Sequence, residues 1–177
     1  MPTPSSLPPA ESVPSTQSSA SPASVRSDCP LCLAPGGREI WRNTWLRVIH
    51  AQEPGLEAFY RVVWNAHVAE WTDLDEARQL LCMRAVGAVE QALREVLQPR
   101  KVNLATLGNV VPHMHWHVVA RFDWDGHFPA PVWAPPHTPA QDLPPERVQW
   151  LHARLPEVER QITSRLQGID WSQPNRL

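Results

Sequence analysis

One stretch constrains this chain more than any other: His113-Met114-His115-Trp116-His117-Val118-Val119, in which histidine alternates with large apolar residues for three rounds. Successive side chains of a β-strand point to opposite faces, so a strand here sets three imidazoles in one row and Met114, Trp116 and Val118 in the other. One face is left for chemistry and the other for packing. Polar rings crowded on one sheet face each need a partner, and a row of them calls for a ligand. A metal is one candidate, but residues i and i+4 of a strand lie roughly 13 Å apart, so three imidazoles in a row cannot share one zinc. An anionic phosphate fits the row better: one imidazole attacks phosphorus, while a neighbour with an ordinary pKa of about 6.5 donates a proton to a phosphoryl oxygen.

The rest of the chain predicts one domain with tails. Its 177 residues hold one full core and not two large ones. A net charge of −2 without a long run of Lys or Arg lacks the electrostatic footprint of a nucleic-acid binder, so any nucleotide bound here is expected to be small. No apolar run approaches the roughly 18 residues of a membrane span, and the N-terminus has neither the basic nor the apolar region of a secretory signal. The expectation is therefore no membrane partner and a cytoplasmic location. Residues 1–27 are almost all Ser, Pro, Ala and Thr, too polar to offset the entropy of ordering, and are expected to be disordered. Three cysteines do not make a disulfide framework; Cys29 and Cys32, spaced Cys-x-x-Cys, suggest metal or redox work.

Residues 39–42, 45–51 and 58–64 read as strands, rich in Trp, Val and Ile and separated by Asn43-Thr44 and by Glu53-Pro54-Gly55. A helix is predicted over 73–97, opened by a capping box of Asp73 and Glu76 and ended by Pro99, with apolar residues at Ala77, Leu81, Ala85, Ala88, Val89, Ala92 and Val96. It should cover the sheet face to which Met114, Trp116 and Val118 point, with Cys82 a small core residue rather than a ligand. Residues 101–107 supply a fourth strand, Gly108-Asn109 a turn, and the histidine strand runs on to Phe122. The proline-rich segment 123–145 reads as a loop near the site. Val148, Leu151, Leu155, Val158, Ile162 and Leu166 then form an amphipathic helix interrupted by Pro156. Its stripe must pack on its own domain or on a second subunit, and a homodimer is the reading favoured. His50, His127, His137 and His152 follow no comparable pattern, and His127 reads as a solvated loop residue.

Residues 113–119 match at every position the pattern His-φ-His-φ-His-φ-φ, with φ apolar, and in this the chain resembles the histidine triad (HIT) superfamily of nucleotide hydrolases and transferases. The likeness, to a bacterial branch, continues in residues 103–112 and 64–67 upstream and in 120–122 and 128–133 downstream. It divides the chain into a tail (1–27), a HIT-like domain (28–134) and a C-terminal loop and helical extension (135–177). The resemblance implies an α+β, HIT-like fold, an antiparallel sheet of about five strands with a long helix on one face, to which the amphipathic stripe adds a C-terminal helix that the resemblance does not account for.

The same resemblance implies a hydrolase acting through a covalent nucleotidyl-histidine on the middle histidine, His115, with His117 hydrogen-bonding a non-bridging phosphate oxygen. Its substrate would be a small nucleotide, a dinucleoside polyphosphate or a nucleoside phosphoramidate. Asn103 and Asn109 take the positions of substrate-side amides; many relatives carry glutamine where Asn109 stands and a hydroxyl where Val110 stands. The plain alternative is that both asparagines make turns around Gly108. Some relatives bind a structural zinc through a Cys-x-x-Cys pair, a histidine after the third strand and the first triad histidine. Here those residues are Cys29, Cys32, His67 and His113, against the alternative of a loop with two free thiols. No cofactor is required for the chemistry itself. Two other functions stay open: a non-catalytic nucleotide-binding regulatory protein, and a nucleotidyltransferase in which a second phosphate rather than water accepts the nucleotide.

Overall fold

The computed structural model describes residues 25–172, so nearly all of the expected N-terminal tail lies outside the described residues. Strands β1 (Arg38–Arg42), β2 (Leu46–His50), β3 (Phe59–Trp64), β4 (Lys101–Ala105) and β5 (His115–Arg121) form one antiparallel sheet in the order β1-β2-β3-β5-β4. The histidine strand is thus an inner strand, inserted between β3 and the edge strand β4. Every residue of β2 and all of β3 but Arg61 are buried, Arg47 and His50 of β2 among them through hydrogen bonds to backbone carbonyls.

Helix α2 (Glu76–Leu97) lies on one face, where Val86, Val89 and Leu93 share a core with Met114, Val118 and Ala120 of β5 and its approach. Cys82 belongs to that core, and burial pushes its thiol up to about 12. The helix starts later than predicted. Asp75, not Asp73, is the N-cap, accepting from the Arg78 N–H at 2.8 Å, while the Asp73 carboxylate accepts from the Glu70 N–H and closes a separate turn at Trp71–Asp73. Two acidic residues two apart can each cap, and here each closes its own turn on either side of the buried Leu74. At the other end Gln98 takes a left-handed conformation just before Pro99.

The C-terminal stripe is divided between α3 (Pro145–His152) and α4 (Leu155–Gln167), and Pro156 sits in the first turn of α4, where its missing N–H costs nothing. Leu151, Leu155, Val158, Ile162 and Leu166 are all buried in the core shared with α2 and the sheet. Ion pairs Arg165–Glu95 and Arg38–Glu159 tie α4 to α2 and to β1. All of the apolar stripe but the half-buried Val148 is therefore used up within the chain, and the homodimer inferred from it loses most of that basis. Among the described residues no helix is long and apolar enough to cross a membrane.

The face opposite α2 carries two small apolar clusters, Cys29, Leu31, Ile49 and Val63 in one and Leu56, Phe59 and Val119 in the other. The candidate site opens on this face.

Candidate active site and metal centre

Strand β5 begins at His115, not at His113. The His113 N–H donates to the Val111 carbonyl and the Met114 N–H to the Val68 carbonyl, so the chain enters the sheet by a bend. The expected row of three imidazoles is in fact a pair, His115 and His117, with ring centroids 4.8 Å apart. His113 turns away to a different set of partners.

The backbone at that bend orients His115. Its Nδ1 lies 2.6 Å from the His113 carbonyl oxygen. A carbonyl only accepts, so Nδ1 carries the proton and the lone pair is left on Nε2. Burial lowers the pKa of His115, with the positive charge of Arg61 acting in the same direction against the His113 carbonyl. His117 is pushed down to about 4 by burial, then by His115 and Arg61, and its Nδ1 is buried without a protein partner. Both rings are neutral at pH 7. They line a cavity of about 700 Å³ whose walls are mainly apolar, with Leu31, Leu107, Val111 and Trp133 among them. That volume is in the range of small-molecule sites.

Behind the cavity, Cys29, Cys32, His67 and His113 converge from three places in the chain. Their ligand atoms all lie within 4.8 Å of one another. The Cys29 Sγ to His113 Nδ1 and Cys32 Sγ to His67 Nδ1 separations are both 3.4 Å, and Cys32 Sγ to His113 Nδ1 is 3.5 Å. A tetrahedron about zinc, with Zn–S near 2.3 Å and Zn–N near 2.05 Å, has sulfur-to-nitrogen edges of about 3.5 Å. The donor set thus fits a metal in size as well as in type. His113 is prepared for it: Nε2 donates to the Trp64 carbonyl at 2.7 Å, which leaves the Nδ1 lone pair facing the sulfurs, and burial holds the ring neutral. Arg47, 2% exposed, docks the cysteine-bearing helix α1 (Pro30–Leu33) by donating to the carbonyls of Leu31 and Pro35.

Residues 40–124 match the family model of the HIT domain. The chain carries a HIT domain. Among solved structures it is similar to a histidine triad protein from Bradyrhizobium japonicum, at 28% identity over 80% of this chain and 99% of that one, with a TM-score of 0.60. A histidine triad protein from Sinorhizobium meliloti 1021 is 25% identical over 70% of this chain and 90% of that one, with a TM-score of 0.54. One from Marinobacter aquaeolei VT8 shares the fold at 21% identity, covering 78% of this chain and 94% of that one, with a TM-score of 0.58. No curated protein matches the chain. The matched segment of the HIT domain contains His67 and His113, while Cys29 and Cys32 lie ahead of it.

Within the HIT domain the two asparagines part company. Asn109, following the left-handed Gly108, lines the cavity with His115 and His117. Asn103 is on the same sheet face, opposite Val119, but its Oδ1 accepts from Arg121 Nη1 at 2.6 Å and it lines a second cavity on the far side of Trp133. Arg121 is in turn paired with Asp125 and donates to the Ala130 carbonyl, fixing the loop that brings Trp133 to the site. Of the remaining histidines, His127 is not merely solvated, since its Nδ1 lies 2.9 Å from the Ala134 carbonyl of the same loop. His50 stacks on Tyr60, His137 bridges to the Phe128 carbonyl, and His152 faces Glu57.

Sequence reasoning missed Arg61. It stands opposite His117 in the pairing of β3 with β5 and lines the same cavity. The period of two from Phe59 puts it on that residue's face, but a strand reading Phe59-Tyr60-Arg61-Val62-Val63-Trp64 does not say which face meets the histidines.

Proposed function

We propose that this HIT domain hydrolyses a phosphoanhydride or phosphoramidate bond of a small nucleotide through a covalent nucleotidyl-histidine on His115. The observation that carries this reading is the hydrogen bond from His115 Nδ1 to the His113 carbonyl, which aims an unprotonated Nε2 at the cavity. The Nε2 lone pair forms the bond to the α-phosphorus as the bond to the leaving group breaks, its electron pair departing with that group. Water then forms the new P–O bond, the N–P bond breaks, and His115 is restored. His117, next to it, hydrogen-bonds a non-bridging oxygen of the phosphate, and Asn109 contributes an amide at the rim. Asn103 acts at one remove, by holding Arg121.

Cys29, Cys32, His67 and His113 would hold a zinc in a closed four-ligand site, which contributes to folding and takes no part in the reaction. Bound there, the metal ties His113 in place, and with it the carbonyl that orients His115.

The test is the adduct. Mixed with adenosine 5′-phosphoramidate and quenched, the wild-type protein should gain the mass of one nucleotidyl group on the peptide holding His115, and His115→Ala should neither gain it nor turn over. Binding of nucleotide without adduct or product would leave a regulatory binding protein; transfer to added phosphate in preference to water would make it a transferase.

A further inference from the structure

We propose that Arg61 selects the leaving group, binding a phosphate next to the one attacked by His115, so that the site favours substrates whose leaving group is itself a phosphate chain. The inference rests on the hydrolase reading above and goes beyond it by distinguishing two substrate classes that the histidines alone treat alike.

Three features of Arg61 support this. The first is place: β3 sets it directly across from His117, and both side chains line the cavity. Among the residues lining that cavity it alone carries a full charge at neutral pH. The second is rigidity. The guanidinium lies 4.9 Å from the centroid of the buried Phe59 ring, which is itself 5.2 Å from the His117 ring, and Nη2 donates to Glu53 Oε1 at 2.7 Å. A planar cation held against a ring and fixed through Nη2 is pre-organised, so little entropy is lost when a second anion meets its remaining N–H groups. The third is unused hydrogen-bonding capacity. Nε is buried with no protein partner, and Nη1 reaches only the Gly36 carbonyl at 3.5 Å. A buried N–H without a partner is costly, and a phosphate oxygen is an acceptor that a charged N–H suits well, each free donor of Arg61 offering a single hydrogen bond rather than a fork.

The chemistry of the two leaving groups separates them. A departing polyphosphate carries its own negative charge and gains more on the bridging oxygen as the bond breaks, so a fixed cation beside His117 stabilises it increasingly toward the transition state. It leaves as an anion and needs no proton. The amine of a phosphoramidate departs uncharged and must be protonated, while burial and nearby positive charge keep His117 unprotonated in the free site. Arg61 thus favours the first class and works against the second.

The experiment compares kcat/KM for diadenosine tetraphosphate with that for adenosine 5′-phosphoramidate in wild type, Arg61→Gln and Arg61→Lys. The wild type should favour the tetraphosphate. One lost charge-assisted hydrogen bond lowers the tetraphosphate-to-phosphoramidate ratio by about tenfold or more in Arg61→Gln, and Arg61→Lys restores part of it. A ratio unchanged in Arg61→Gln, with both substrates turned over, overturns the inference and leaves the hydrolase reading standing. No adduct or product from either substrate in the wild type overturns both. Should Arg61→Gln not fold, inhibition of wild type and Arg61→Lys decides: ADP must inhibit wild type more strongly than AMP, and that advantage must shrink with lysine. Equal inhibition by ADP and AMP in the wild type refutes the proposal.

Discussion

Replacing Asp125 by Asn tests how the site is held from behind. Its carboxylate, 3% exposed, accepts five N–H groups: Nε and Nη2 of Arg121 and the backbone N–H groups of Phe122, His127 and Phe128. An amide keeps one acceptor oxygen and turns a donor toward the others, while Arg121, 2% exposed, is left as an uncompensated buried charge. Breaking such a pair from one side costs about 3–5 kcal/mol, a large share of the roughly 5–15 kcal/mol by which a domain is stable. At roughly 2–4 °C per kcal/mol in a chain of this size, the midpoint should fall by about 10 °C. Urea denaturation at pH 7 with an unchanged m-value is the assay, and a loss below about 1 kcal/mol would refute the reasoning. The pH dependence supplies a second check. Burial alone would raise the Asp125 carboxyl, but Arg121 and the backbone N–H groups outweigh it and hold it below its ordinary value. A depressed folded pKa contributes stability that is present in full above the unfolded value of about 3.9 and is lost as pH falls through the folded value. The Asn variant should lose that part of the acid dependence.

Cys29→Ser or Cys32→Ser should lower bound zinc from about one per chain and reduce the melting temperature more than the specific activity; wild-type protein prepared without chelator and free of zinc by metal analysis would remove the metal from the account. His117→Ala should slow turnover while still allowing slow nucleotidyl transfer to His115, because it removes an oxygen contact and spares the nucleophile; faster turnover than wild type would contradict the role. Leu155→Glu, which puts a carboxylate into the core beneath α4, should unfold or aggregate the protein at 37 °C. A folded, less associated Leu155→Glu would instead place the stripe in a subunit interface.

By itself the sequence determined the elements whose logic is local. Alternation at residues 115–121 is a backbone period of two, so the separation of His115 and His117 from Trp116 and Val118 follows from the strand alone. Helical spacing likewise marks α2 and the terminal stripe as half-buried, and the HIT motif indicates the class of sheet they cover. Periodicity states that a face is covered and not by what: the terminal stripe suits a partner subunit as well as it suits α2, and only the packed chain decides for α2. His113 continues the alternation in the sequence, yet hydrogen bonds from residues 113 and 114 to Val111 and Val68 bend it out of the strand toward Cys29, 84 residues away. Arg61 was invisible as a site residue for the same reason. Which face of β3 meets His117, and whether a cation there keeps a free donor, depend on the pairing of strands distant in the chain, and pairing is settled by burial of the whole sheet rather than by any one strand.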